Sequence, residues 1–127
     1  MILNVRRLGQ VVILSPEGDL DSEALSRLQN CFLDFHAKEV RKVVFDFSRV
    51  KQINYRCLGL LVEETIDFRL EGGDLRLTCL PVDIRDVFRL TGAERAFSIY
   101  DTLHDALVSF GLEREEDLAE KVHLTAG

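Results

Sequence analysis

The stretch Val43-Val44-Phe45-Asp46-Phe47-Ser48-Arg49-Val50-Lys51-Gln52-Ile53-Asn54-Tyr55-Arg56-Cys57-Leu58-Gly59-Leu60 reads as a buried strand, a loop and the start of an amphipathic helix. Residues 42–47 are almost continuously apolar, the pattern of a strand covered on both faces. The helix is expected from about Cys57 to Glu71. Leu58, Leu61, Val62 and Thr65 fall on its inward face, with Glu63, Glu64 and Asp67 toward solvent. Gly72-Gly73 follows, a sequence suited to the left-handed conformation at a helix C-terminus. Leu75 to Leu80 is then the next strand, so strand, helix and strand form a βαβ unit with parallel strands and a right-handed crossover.

On the N-terminal side, Ile2 to Val5 and Val11 to Pro16 read as the strands of an opening hairpin around Leu8-Gly9. Residues 17–21, Glu-Gly-Asp-Leu-Asp, read as a loop ending in a helix cap, because the side chain of Asp21 or Ser22 can accept from free backbone N–H groups. In the helix that follows, Leu25, Leu28, Phe32 and Phe35 recur at helical spacing. On the C-terminal side, Pro81 to Leu90 is a helix ended by Gly92 and Phe97 to Tyr100 a short strand. Asp101 is the expected cap of a last helix carrying Leu103, Ala106, Leu107 and Phe110. The fold class expected is α/β, a mixed sheet of about five strands with helices packed against it, in the order β-β-α-β-α-β-α-β-α. Residues 1–110 form the domain, and residues 111–127 an acidic C-terminal tail, a short helix or disordered.

At 127 residues there is room for a single core. The net charge of −6 gives a nucleic-acid partner no overall electrostatic support. No apolar run reaches the roughly 20 residues of a membrane helix. The opening residues lack the apolar stretch and cleavage site of a signal peptide. Cys31, Cys57 and Cys79 are odd in number and form no CxxC pair, which fits reduced thiols in a cytoplasm.

Several marks in register resemble the STAS domain, the family of anti-sigma factor antagonists and sulfate-transporter regulatory tails. Gly18-Asp19-Leu20-Asp21 is similar to the family's turn before its first helix, and residues 44–50 to its Val-x-Asp-Leu-Ser-x-Val strand. Leu58-Gly59, Gly72-Gly73-Asp74-Leu75 and residues 87–92 match later marks, so the resemblance covers about residues 2 to 110. Family members usually carry Asp-Ser-Ser/Thr-Gly-Leu-Gly where this chain has Asn54, Tyr55, Arg56, Cys57, Leu58 and Gly59. Arg56 stands where the resemblance places the phosphorylated hydroxyl, and its charge is opposite to that of phosphoserine. The resemblance therefore implies the fold and a partner-binding face without the usual phospho-switch at that position.

Physical chemistry points to the same location, since ligands of open α/β sheets gather at the carboxyl ends of parallel strands, beside helix N-termini. The residues expected to contact a partner are Asp19, Asp21, Asn54, Tyr55, Arg56, Cys57 and Glu63. Arg56 with Arg49 and Lys51 is also a candidate anion site, the plain alternative being solvated loop charges. Cys57 lacks the arginine six residues on that a phosphatase nucleophile needs, because that position is Glu63, and a small residue packed at the helix start is the better reading. Tyr55 is a candidate interface anchor. His36, His104 and His123 share no metal-like spacing, and His36 and His104 fit helix surfaces. No metal or cofactor is expected, and no acid–base or nucleophile–base pair is evident, which argues against an enzyme.

The expectation is a bacterial, cytoplasmic, non-catalytic protein-binding regulator in signal transduction and transcription regulation. The resemblance implies an anti-sigma factor or serine kinase-like ATPase as partner, without nucleic acid or membrane insertion, and a monomer or weak homodimer. The alternatives are a nucleotide or anion sensor, or a structural subunit of a transporter or signalling assembly.

Overall fold

The computed structural model describes residues 1–112. The expected reading of the acidic tail concerns residues outside that range, apart from the helix-end turn at Gly111 and Leu112. Strands β1 (Ile2–Leu8) and β2 (Val11–Leu20) form the antiparallel hairpin, followed by α1 (Ser22–Ala37), β3 (Lys42–Asp46) and β4 (Val50–Ile53). Next come α2 (Tyr55–Leu70), β5 (Asp74–Thr78), α3 (Val82–Thr91), a single 3-10 turn (Ala93–Ala96), β6 (Ser98–Tyr100) and α4 (Leu103–Ser109). The sheet has six strands in the order β1-β2-β3-β5-β6, with β4 attached to β2.

The expected βαβ unit is present, with β3 and β5 parallel from Lys42↔Asp74 to Asp46↔Thr78 and α2 between them. Alternation along β3 sorts the two faces of the sheet. Val43 and Phe45 join Leu28, Phe32, Leu61, Phe68 and Phe88 in a core under α1, α2 and α3. Val44 points the other way, to Leu8, Val11, Ile13 and the α4 residues Ala106 and Leu107. Both faces are covered, which explains the unbroken apolar run. The larger core is rich in rings: Phe32 lies edge-on to Phe68 at 6.2 Å, and Phe47 edge-on to Phe88 at 5.7 Å.

Two differences from the sequence reading bear on function. Residues 17–20, expected as loop, continue β2, which runs to Leu20. Residues 50–53, also expected as loop, form the sixth strand, β4, paired in parallel with the end of β2 through Gly18↔Val50, Asp19↔Gln52 and Leu20↔Ile53. A register shift between Gly18 and Asp19 accommodates the change, and Gly18 has φ +107°, a conformation that favours glycine. Gly72-Gly73 ends α2 as expected, with Gly72 at φ +87° and Gly73 N donating to Phe68 O at 2.8 Å, and Gly73 has a further role. An added Cβ would lie 1.7 Å from the carbonyl oxygen of Arg41, so glycine lets α2's exit pass against the start of β3. The cap of α4 is Thr102, whose side chain accepts from Asp105 N, rather than the expected Asp101.

Candidate functional site

The carboxyl ends of β2 and β4 deliver the chain to two helix starts. Asp21 caps α1, its Oδ1 accepting from Glu23 N at 3.1 Å and Ala24 N at 3.0 Å. Asn54 caps α2, its Oδ1 accepting from Cys57 N at 2.9 Å. Each cap satisfies backbone donors that a helix start leaves unpaired. The two starts are joined: Asn54 N donates to Leu20 O at 3.0 Å, and the Cys57 thiol donates to Asp21 O at 3.4 Å.

Cys57 is fully buried, so it presents no side-chain surface to a partner and corrects that part of the expected list. Its place is under the face, packed at the helix start. Burial, with a smaller contribution from Asp21, pushes its thiol pKa up, the opposite of what a nucleophile needs. Above it the surface is open. Tyr55 is 76% exposed, and Arg56, Asp19, Asp21 and Glu63 are exposed while Asn54 is half-buried. The structure thus brings Asp19, Asp21, Asn54, Tyr55 and Arg56 to one end of the sheet, with Glu63 two turns along α2.

The three cations proposed as an anion site are not alike. Arg49 is held by Glu17 at 2.6 Å. That bond, with Asn4 also donating to Glu17, holds the Glu17 carboxyl below its usual range. Lys51 and Arg56 form no ion pair among the described residues. A cleft of about 580 Å³ lies on the α4 side of the sheet, lined by Asn4, Ser15, Glu17, Asp46 and Arg49 among others. Its polar groups largely satisfy one another, Asp46 accepting from Ser15 Oγ at 3.2 Å and from Ser48 N at 2.9 Å. A smaller groove of about 350 Å³ runs beside the site between β4 and α3, lined by Lys51, Gln52, Ile53, Asp83, Ile84 and Val87.

A second polar cluster was not foreseen. His36 of α1, expected on a helix surface, stacks on Phe68 at 4.3 Å. Its Nε2 lies 2.7 Å from Glu64 and its Nδ1 3.0 Å from Glu71, which also pairs with Arg41 at 3.0 Å. Glu64 therefore turns toward α1 rather than to solvent as expected. The one signal in the sequence is the acidic stripe Glu64, Asp67 and Glu71 at helical spacing. Cys31 and Cys79 are both half-buried.

Among the described residues no helix is long and apolar enough to cross a membrane. The fold is shared with solved structures. A candidate anti-sigma factor antagonist from Thermotoga maritima is 27% identical, with a TM-score of 0.79 over 84% of this chain and 92% of that one. An anti-sigma factor antagonist from Mycobacterium paratuberculosis is 24% identical, with a TM-score of 0.76 over 85% and 92%. The anti-sigma factor antagonist SpoIIAA of Bacillus, in its unphosphorylated form, is 14% identical, with a TM-score of 0.70 over 89% and 100%. The last two likenesses carry the fold alone. The model of the STAS domain matches residues 3–106, and with the sheet order and the marks around β3 and α2 in place, this chain belongs to the STAS domain family.

Proposed function

We propose that the chain is a non-catalytic, protein-binding regulator of the anti-sigma factor antagonist kind, and that it docks through the joined starts of α1 and α2. One observation carries this reading: Tyr55 and Arg56 project from a helix start capped by Asn54, whose Oδ1 accepts from Cys57 N, with Tyr55 76% exposed. An exposed tyrosine beside an arginine with no ion pair among the described residues has the composition of an interface anchor. Asp19, Asp21 and Glu63 supply acidic neighbours, and the groove between β4 and α3 extends the surface. The partner class, an anti-sigma factor or a serine kinase-like ATPase, comes from the likeness to anti-sigma factor antagonists.

Arg56 occupies the position where the family's phosphorylatable hydroxyl stands. A guanidinium there forms no phosphoester, so control by phosphorylation at that position is replaced by constitutive binding or by the state of the partner. A cation on the first turn of a helix opposes the helix dipole, a cost of about 0.3–1 kcal/mol when exposed. Such a local conflict is expected where a side chain is kept for a contact outside the domain.

The test is affinity capture from the native lysate with the tagged chain and its Arg56→Glu variant as parallel baits, read by quantitative mass spectrometry. An anti-sigma or kinase-like protein retained by the wild type and depleted at least tenfold with the variant supports the docking face. Equal recovery by both baits removes Arg56 from it, and recovery of only a transporter or scaffold favours a structural subunit.

A further inference from the structure

We propose that His36, Glu64 and Asp67 form a binding site for a first-row divalent cation, with Zn²⁺ as its best fit. One ligand comes from α1 and two from α2, and their ligating atoms all lie within 4.8 Å of one another. Donors on a tetrahedral zinc, with bonds of about 2.0–2.1 Å, stand about 3.3 Å apart. The His36–Glu64 contact of 2.7 Å would therefore open slightly, and the contacts to Asp67, at most 4.8 Å, would close onto the cation.

The imidazole is already oriented as a metal-bound histidine is. Its Nδ1 faces Glu71 at 3.0 Å, Arg41 in turn holds Glu71 at 3.0 Å, and Phe68 stacks against the ring. A carboxylate on the far ring nitrogen holds the Nδ1 proton, so that once a cation displaces the proton shared with Glu64, Nε2 is the lone-pair donor. His36 and Glu64 are mostly shielded, their side chains 20% and 14% exposed. Asp67 is exposed and has no ion pair or side-chain hydrogen bond among the described residues. One nitrogen and two carboxylate oxygens suit Zn²⁺ or its first-row neighbours better than Mg²⁺, which favours oxygen alone. A fourth position remains for water.

A proton is the competing occupant. With both ring nitrogens facing carboxylates, a doubly protonated His36 satisfies Glu64 and Glu71. That arrangement gives Asp67 no role, and Asp67 therefore separates the two. A bound cation would release the Nε2 proton and fasten α1 to α2 at a distance of two turns of α2 from Arg56, so the site does not use the docking residues Tyr55 and Arg56.

The experiment is calorimetric titration of the chelator-treated full chain with zinc chloride above neutral pH, with melting followed in parallel and Mg²⁺ as the control cation. Saturable uptake of one equivalent and a melting temperature raised by several degrees are expected, with Mg²⁺ silent. Asp67→Asn, an exposed change, should leave the metal-free melting temperature unaltered and weaken zinc at least tenfold. His36→Gln should abolish saturable binding. Absence of saturable heat overturns the site. So does affinity unchanged in both variants, or affinity lost only in His123→Ala or after thiol blocking.

Discussion

The two ends of α2 are built on opposite plans. At its start, Asn54 and the Cys57 thiol bond to backbone, and the side chains facing outward, Tyr55 and Arg56, make no hydrogen bond or ion pair among the described residues. At its end, side chains bond to one another: His36 with Glu64 and Glu71, Arg41 with Glu71, and Arg69 with Asp74 at 2.8 Å. The first plan holds the backbone and leaves an exposed surface, the one proposed for recognition. The second holds the surface itself and fixes how α2 sits on α1 and β5. Substitutions at the start should therefore alter binding with small effects on stability, and substitutions at the end the reverse.

The largest expected effect is at the fixed end. Gly73→Ala drives a Cβ into the backbone of Arg41, where no flexible side chain can give way, and should cost about 3 kcal/mol or more in a denaturant titration. Asp74 is next. It receives Arg69 at 2.8 Å, Arg76 at 3.0 Å and Leu75 N at 2.9 Å. Asp74→Ala leaves these donors without their acceptor, and because both arginines keep some solvent the loss should be about 2 kcal/mol. A cost below about 0.5 kcal/mol for either change would dissolve the contrast between the two ends.

At the open end the effects on folding shrink. Asn54→Ala removes a helix cap and should lower stability by about 1 kcal/mol, measured by thermal melting. Tyr55→Ala should change stability by less than about 0.5 kcal/mol while weakening partner binding at least tenfold in a direct binding assay. Tyr55→Ala that unfolds the chain, or that binds as tightly as wild type, would show that the start of α2 is not a recognition surface.

The smallest effect concerns pH in metal-free protein. Burial lowers the pKa of His36, but hydrogen bonds and charge from Glu64 and Glu71 outweigh it and the net shift is upward. A folded-state pKa above the unfolded value near 6.5 means the folded protein binds the extra proton. The associated stability is present below about pH 6.5 and is lost as pH rises through the raised folded value. Urea midpoints should fall slightly across that window, and His36→Gln should flatten the profile. Saturating zinc would reverse the slope, because the cation needs the unprotonated ring.

Much of the frame was legible because long elements carry strong periodicity. The run from Val43 to Phe47, the apolar faces of α1 and α2, and the glycines closing α2 and α3 each state an element and its partner face. β4 was not legible, since only Val50 and Ile53 of its four residues face inward and Lys51 and Gln52 are exposed. Its strand character comes from β2 lying alongside, a tertiary fact. The cap of α4 was displaced by one residue because Asp101 and Thr102 are both good caps, and side-chain type does not choose between neighbours. The candidate site was legible as a location, while the burial of Cys57 followed from the closeness of two helix starts. The His36 cluster depends on the rotation of α1 relative to α2, and no local pattern encodes that rotation.

The handover of β2 from β3 to β4 has an evolutionary consequence. β2 is bonded along its first half to β3 and at its last residues to β4, and Asn54 N closes the frame on Leu20 O. Apart from Gly18 and the capping side chains of Asp21 and Asn54, the frame of this end is thus written in main-chain atoms. Positions 51, 52, 55 and 56 are free to be recoded without disturbing folding. On the proposed reading, a change of client would need only point substitutions at these exposed positions, with the frame beneath them left in place.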